Sequence, residues 1–136
     1  MLNISAILAG ERPAVWRDWT RPDGSATGVS LLIEPTGASE LREAYRSIEG
    51  KTGAAADAAD AAFWCGHVKD WRGFVDAQRV PVPFSPELMS KLWTSLPFDF
   101  AACIREGAAS LDAFRVEADA AEAIETRSPG ATAAAA

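Results

Sequence analysis

The sequence is poor in the residues from which metal centres and catalytic sites are usually assembled. It contains one histidine, two cysteines and, in 136 residues, 13 basic against 19 acidic side chains. A single imidazole cannot supply a site that needs two within one chain, and two cysteines are too few for the disulfide framework of a small secreted domain. The net charge of −6 repels nucleic-acid phosphates. We therefore expect no disulfide, no cofactor and no nucleic-acid partner.

Long apolar runs are also missing. No stretch approaches the roughly 18 to 20 apolar residues of a transmembrane helix, so we expect no membrane partner. The first ten residues are apolar but lack the basic start and the cleavage site of a signal peptide. These features predict a protein that stays in the cytosol where it is made.

Alanine is abundant instead, with 28 residues. Because alanine buries little area, a domain built around one core from this chain must have a thin core. A thin core favours stabilisation by a partner chain or by self-association into a homo-oligomer.

The patterning predicts an α+β fold that is mainly α-helical. A small N-terminal β-hairpin at about 14–34 turns at Arg21-Pro22-Asp23-Gly24, since proline fixes φ and glycine accepts positive φ. About four helices follow, at about 39–49, 54–72, 86–95 and 98–118. Residues 1–118 are predicted to form one domain, and the alanine-rich tail at 119–136 is predicted to be disordered and flexible because it cannot bury enough surface.

The start of the third helix has the sharpest local signal in the chain. Ser85 suits the N-cap, Pro86 the first helical position and Glu87 the positive end of the helix dipole.

Candidate chemistry is weak. Cys65 and His67 could contribute to a zinc site only if the distant Cys103 and a carboxylate completed it, and on one predicted helix the two side chains point to different sides. Two carboxylate pairs at i, i+3 spacing are interpreted as solvated helix faces: Asp57/Asp60 and Asp119/Glu122. We predict no catalytic, cofactor-binding or metal-binding residues. A small enzyme that uses Cys65 or His67 is kept as an alternative.

Aromatic residues are the unusual feature of this sequence, with five tryptophans and six phenylalanines. Seven of these rings fall between residues 64 and 100. Core filling is their common role, but a core flanked by an alanine-rich helix cannot bury all of them. We therefore predict that some form a groove or a self-association surface, which is typical of a binding protein rather than an enzyme.

One stretch resembles a known family. It runs from Val68-Lys69-Asp70-Trp71-Arg72-Gly73-Phe74-Val75-Asp76 to Val80-Pro81-Val82-Pro83-Phe84-Ser85-Pro86-Glu87-Leu88, followed by Pro97-Phe98, and is similar to the core pattern of phage tail assembly chaperones. Pro22-Asp23-Gly24 and the stretch from Ile33 to Arg42 also resemble that family, so the likeness covers roughly residues 14–110. Two departures stand out: residues 76–79 lack the usual turn glycine, and the alanine-rich helix and tail are long.

The resemblance implies a non-enzymatic viral protein made in the host cytoplasm of an infected or prophage-bearing bacterium. Such chaperones bind the tape-measure protein, keep its hydrophobic segments soluble and help tail-tube subunits assemble around it. The predicted partner-binding residues are Trp71, Phe74, Phe84, Leu88, Trp93 and Leu96. A permanent structural virion component, such as a connector or tail-completion protein, is the alternative.

Overall fold

The computed structural model describes residues 1–115, which fall into two compact units. The smaller unit joins residues 1–12 to the segment beginning at Leu111. It contains a short helix, α1 (Ile4–Leu8), and a 3-10 turn (Asp112–Phe114). The Asn3 side chain caps α1 by accepting a hydrogen bond from the Ala6 N–H, and the Asn3 N–H donates to the Phe114 carbonyl at 2.6 Å. The sequence patterning did not predict α1.

The larger unit, residues 13–110, contains a three-stranded antiparallel sheet. Its strands are β1 (Val15–Thr20), β2 (Ala26–Ile33) and β3 (Val68–Arg72), with β2 in the middle. The β1–β2 hairpin matches the prediction. Asp23 orders its turn by accepting hydrogen bonds from the Ser25 N–H and hydroxyl, at 2.9 and 2.7 Å.

Four helices accompany the sheet: α2 (Ala38–Ile48), α3 (Gly53–Cys65), α4 (Pro86–Ser95) and α5 (Phe98–Ala108). The α+β class is confirmed, and α2 and α4 lie where the sequence placed them. The predicted helix at 98–118 ends earlier, at Ala108, and its residues 116–118 lie outside the described chain. The predicted flexible tail at 119–136 also lies outside it.

The predicted helix at 54–72 is wrong in its second half. The helix α3 ends at Cys65, and residues 68–72 form β3 instead. The apolar spacing of Val68 and Trp71 suggested another helical turn. In the structure a bulge shifts the register between Leu32 and Ile33, so that Val68 and Trp71 both face the core from a strand. Because the bulge adds one residue to β3, two apolar residues three positions apart lie on the same face of the strand, and this spacing resembles that of a helix.

The core lies between the sheet and the helices. Helix α5 packs on β1 and β2, and α3 packs against α2, α4 and α5. Gly107 permits the close approach of α5, because a Cβ at this position would lie 2.6 Å from the Ile33 Cδ1 atom. The buried apolar residues are Trp19, Val29, Leu31, Ile33, Trp64, Cys65, Val68, Trp71, Met89, Phe100, Cys103, Ile104 and Ala108.

Candidate partner-binding surface

A tight turn follows β3 and carries exposed apolar side chains. The Val82 N–H donates to the Phe74 carbonyl at 2.9 Å, and the Asp76 N–H donates to the Val80 carbonyl at 2.9 Å. The Asp76 carboxylate also accepts from the backbone N–H groups of Gln78 and Val80, at 2.8 and 3.0 Å. These bonds define a hairpin-like loop from Phe74 to Val82.

Within this loop, the backbone of Arg79 adopts the left-handed conformation, with a φ of 65°. The missing turn glycine noted in the sequence is therefore replaced by an arginine in a conformation that usually favours glycine. The side-chain bonds of Asp76 hold the loop closed around it.

Trp71 fixes the base of the loop. Its indole Nε1–H donates to the Val82 carbonyl at 2.7 Å, and its ring packs edge-on against Phe74 and Phe84, with centroids 4.9 and 5.1 Å apart. Only 6% of Trp71 is exposed, whereas Phe74 and Phe84 are half-buried. Trp71 is therefore a core residue that positions the two phenylalanines rather than presenting its own ring to solvent.

The apolar surface of the loop is larger than the sequence indicated. Val75 and Val80 are 52% and 54% exposed, and Val75 forms a β-bridge with Pro81. We call Phe74, Val75, Val80, Pro81 and Phe84 the turn patch. The predicted partner-binding residues do not include Val75 or Val80. The alternating prolines at 81 and 83 cannot complete the hydrogen-bonding pattern of a central strand, which suits a segment at the surface.

The other three predicted residues lie along α4 and its C-terminus. Leu88, in the first turn, is 37% exposed, while Trp93 and Leu96 are half-buried against the core. Phe98, which the sequence analysis did not select as a partner-binding residue, begins α5 and is 77% exposed. The structure thus joins Trp71, Phe74 and Phe84 in one ring cluster and places Leu88, Trp93 and Leu96 along a neighbouring helix.

An arginine organises the aromatic residues near the end of α4. The Arg105 guanidinium lies 5.2 Å from the centroid of the Trp93 ring and 6.0 Å from that of Phe98. It also pairs with the Asp60 carboxylate at 2.8 Å. The second oxygen of Asp60 accepts from the Trp64 indole Nε1–H at 3.0 Å. Asp60 therefore links α3 to α5. The interpretation of the Asp57/Asp60 pair as a solvated helix face does not hold for Asp60.

The two thiols are protected rather than activated. Burial, with a smaller contribution from the Asp60 carboxylate, raises the pKa of Cys65 to about 11. Burial also raises the pKa of Cys103. Since the thiolate is the reactive form, both side chains are weak nucleophiles at neutral pH.

His67 is buried in a structural position. Its Nδ1 faces the Phe63 carbonyl at 2.8 Å, and its Nε2 faces the Glu40 carboxylate at 3.2 Å. The ring therefore lies between the end of α3, which holds Phe63, and the first turn of α2, which holds Glu40. No group of three potential metal ligands occurs among residues 1–115, and no helix in that range is long and apolar enough to cross a membrane.

These features define an α+β protein with partly exposed apolar side chains on a loop that hydrogen bonds close. A family model described as "YdaY prophage protein" matches residues 39–125, from the start of α2 onward. The match covers more than half of the chain, which therefore belongs to the YdaY prophage protein family and is of phage origin. The comparisons with curated proteins and with solved structures returned no match.

Proposed function

We propose that this prophage protein is a non-enzymatic tail assembly chaperone, which binds apolar segments of the tape-measure protein in the host cytoplasm and assists tail-tube assembly. The observation that carries the proposal is the turn patch. Val75 and Val80 are more than half exposed on a loop closed by backbone and Asp76 hydrogen bonds. Apolar side chains held rigidly in solvent lose little conformational freedom when a partner covers them.

The binding mode that suits this surface is a helix laid across apolar side chains. An amphipathic helix presents a stripe of apolar residues at i, i+3, i+4 and i+7, which can cover a patch of this kind. The turn patch and Leu88 on α4 supply the complementary apolar side chains. The net charge of −6 would keep loaded complexes apart in solution.

The non-enzymatic part of the proposal rests on the candidate nucleophiles. Cys65 is buried with a pKa raised to about 11, and His67 is buried with its ring nitrogens facing the Phe63 carbonyl and the Glu40 carboxylate. Neither side chain is presented to a substrate.

Co-expression with the tape-measure protein of the same prophage tests the proposal. We expect the wild-type chain to increase the soluble yield of that protein and to co-elute with it. The double variant Val75→Ser/Val80→Ser should lose both effects, because it replaces the two exposed valines of the turn patch by polar side chains and leaves the loop hydrogen bonds in place. Tyr45→Ser is the matched control, since Tyr45 is 57% exposed but lies on α2. An unchanged soluble yield with no complex would refute the chaperone role.

A structural virion component, such as a connector or tail-completion protein, is the second candidate. It is favoured by an exposed aromatic side chain outside the turn patch, Phe98, at the start of α5. A subunit that stays in a particle contacts more than one neighbour, and separate apolar surfaces suit that role. Mass spectrometry of purified particles distinguishes the two, because stoichiometric amounts of the protein would support the structural role and its absence would support the chaperone.

A further inference from the structure

A cleft between α3 and α4 combines an aromatic wall with carboxylates. It has a volume of about 300 Å³ and is lined by Asp57, Asp60, Trp93 and Thr94. Trp93 is half-buried, so part of its ring is covered by the core and part borders the cleft. Apolar and acidic groups thus border the same space.

The chain already places one cation at this position. The Arg105 guanidinium pairs with Asp60 at 2.8 Å and lies 5.2 Å from the centre of the Trp93 ring. Carboxylate and indole together are a chemically suitable environment for a guanidinium or an ammonium group. The ion pair with Arg105 neutralises the Asp60 carboxylate, and the neighbouring carboxylate of the cleft is not part of that pair.

That neighbouring carboxylate is Asp57, one turn earlier on α3. It is exposed, lines the cleft, and has no ion-pair or hydrogen-bond partner among the described residues. Residues at i and i+3 lie on one helix face, so Asp57 and Asp60 border the cleft together. The cleft therefore keeps one uncompensated negative charge beside the Trp93 ring.

We propose that this cleft binds a lysine or arginine side chain of an amphipathic partner helix. The alkyl part of that side chain packs on Trp93 and its charged end pairs with Asp57. The apolar stripe of the same helix covers Leu88 of α4 and the turn patch. The inference rests on the proposed function and specifies the partner: its apolar stripe is flanked by a basic residue rather than by an acidic one.

Two synthetic 18-residue amphipathic peptides provide the probe. Both carry the same leucine stripe, and they differ at one flanking position, where one has lysine and the other norleucine. We expect the wild-type protein to bind the lysine peptide about three- to tenfold more tightly in a calorimetric titration at low salt. The preference should shrink as salt is added, because the contribution is electrostatic.

Asp57→Asn should remove the preference while leaving the affinity for the norleucine peptide unchanged. Glu49→Gln is the matched control, since it removes one exposed negative charge next to α2 and should keep the preference. The indole N–H signal of Trp93, assigned with Trp93→Phe, should shift on addition of the lysine peptide. Circular dichroism of each variant checks that it is folded.

The outcomes separate the two proposals. Equal affinity of the wild-type protein for both peptides, or a preference that survives Asp57→Asn, would overturn the cation site while leaving the apolar surface in place. No binding of either peptide, together with no effect on tape-measure solubility, would overturn both the site and the chaperone role.

Discussion

Replacing Gly73 by alanine tests the part of the fold that the sequence patterning predicted wrongly. Gly73 follows β3 and has a φ of +94°. A Cβ there would overlap the Gly28 carbonyl oxygen, lie 2.9 Å from the Gly28 carbonyl carbon and lie 3.0 Å from the Val29 Cα. All three atoms belong to the backbone, so no side-chain rotation can relieve the overlap.

The magnitude has two parts. An alanine at strongly positive φ costs about 1 kcal/mol through backbone strain. The overlap adds more, because ordinary carbon contacts are about 3.5 to 4.0 Å and the two backbone segments must separate by roughly 1 Å. That separation weakens the adjacent ladder bonds between β2 and β3, at about 1 kcal/mol each. We expect a total loss of about 3 to 5 kcal/mol, out of the roughly 5 to 15 kcal/mol that stabilises a domain.

Gly50→Ala is the matched control. Gly50 has a similar φ of +85°, but no atom lies within 4 Å of the position its Cβ would take. This variant should lose only the strain of about 1 kcal/mol. Urea unfolding of both variants, followed by tryptophan fluorescence, measures the difference. If the two substitutions cost the same, the close approach of β2 to residue 73 is refuted. If a helix continued through this region, alanine would instead stabilise it by about 1 kcal/mol.

Three further substitutions or treatments test the loop, the thiols and the α3–α5 link. Arg79→Gly should stabilise the protein by about 0.5 to 1 kcal/mol in thermal unfolding, because glycine adopts the left-handed conformation without strain; an unchanged or lower stability would contradict the conformation of the loop. Cys65 should react with iodoacetamide far more slowly in the native protein than in urea at pH 8, since its raised pKa keeps the thiol protonated. A native thiol that reacts with iodoacetamide as fast as the unfolded one would contradict its burial. As the pH rises, the thiol ionises in the unfolded protein before it ionises in the folded protein. The contribution of Cys65 to the free energy of unfolding should therefore be complete below pH 9 and should decline from about pH 9 to 11. Asp60→Ala should cost about 1 to 3 kcal/mol in urea unfolding, because it leaves the Trp64 indole N–H and an arginine without their acceptor, whereas Asp57→Ala should cost less than about 0.5 kcal/mol. Equal losses for the two aspartates would contradict the link.

Local features of the fold could be predicted because the residues that determine them are neighbours in sequence. Ser85 caps α4 by accepting from the Leu88 N–H at 3.2 Å, as its position before a proline indicated. The β1–β2 hairpin follows in the same way from Pro22, Asp23 and Gly24. The phage origin indicated by the order of motifs is also confirmed, at the level of the YdaY prophage family.

The candidate surface was harder to predict, because exposure depends on how distant segments pack. Trp71 and Trp93 look alike in sequence as members of one aromatic-rich stretch. In the fold, Trp71 is covered by the loop whose Val82 carbonyl it binds, whereas Trp93 is half-buried beside Asp60 and Arg105. No local pattern indicates which ring is covered.

The sequence by itself determined the N-terminal cap of α4, the hairpin turn and the clustering of seven aromatic side chains between residues 64 and 100, since each depends on residues a few positions apart or on composition. Only the tertiary structure decided that residues 68–72 form a strand and that Val75 and Val80 are exposed. Strand β3 exists because the central strand β2, more than 30 residues earlier, offers hydrogen-bonding partners and a shifted register. Pairing of that kind depends on non-local backbone contacts, which outweigh the helical spacing of the apolar side chains.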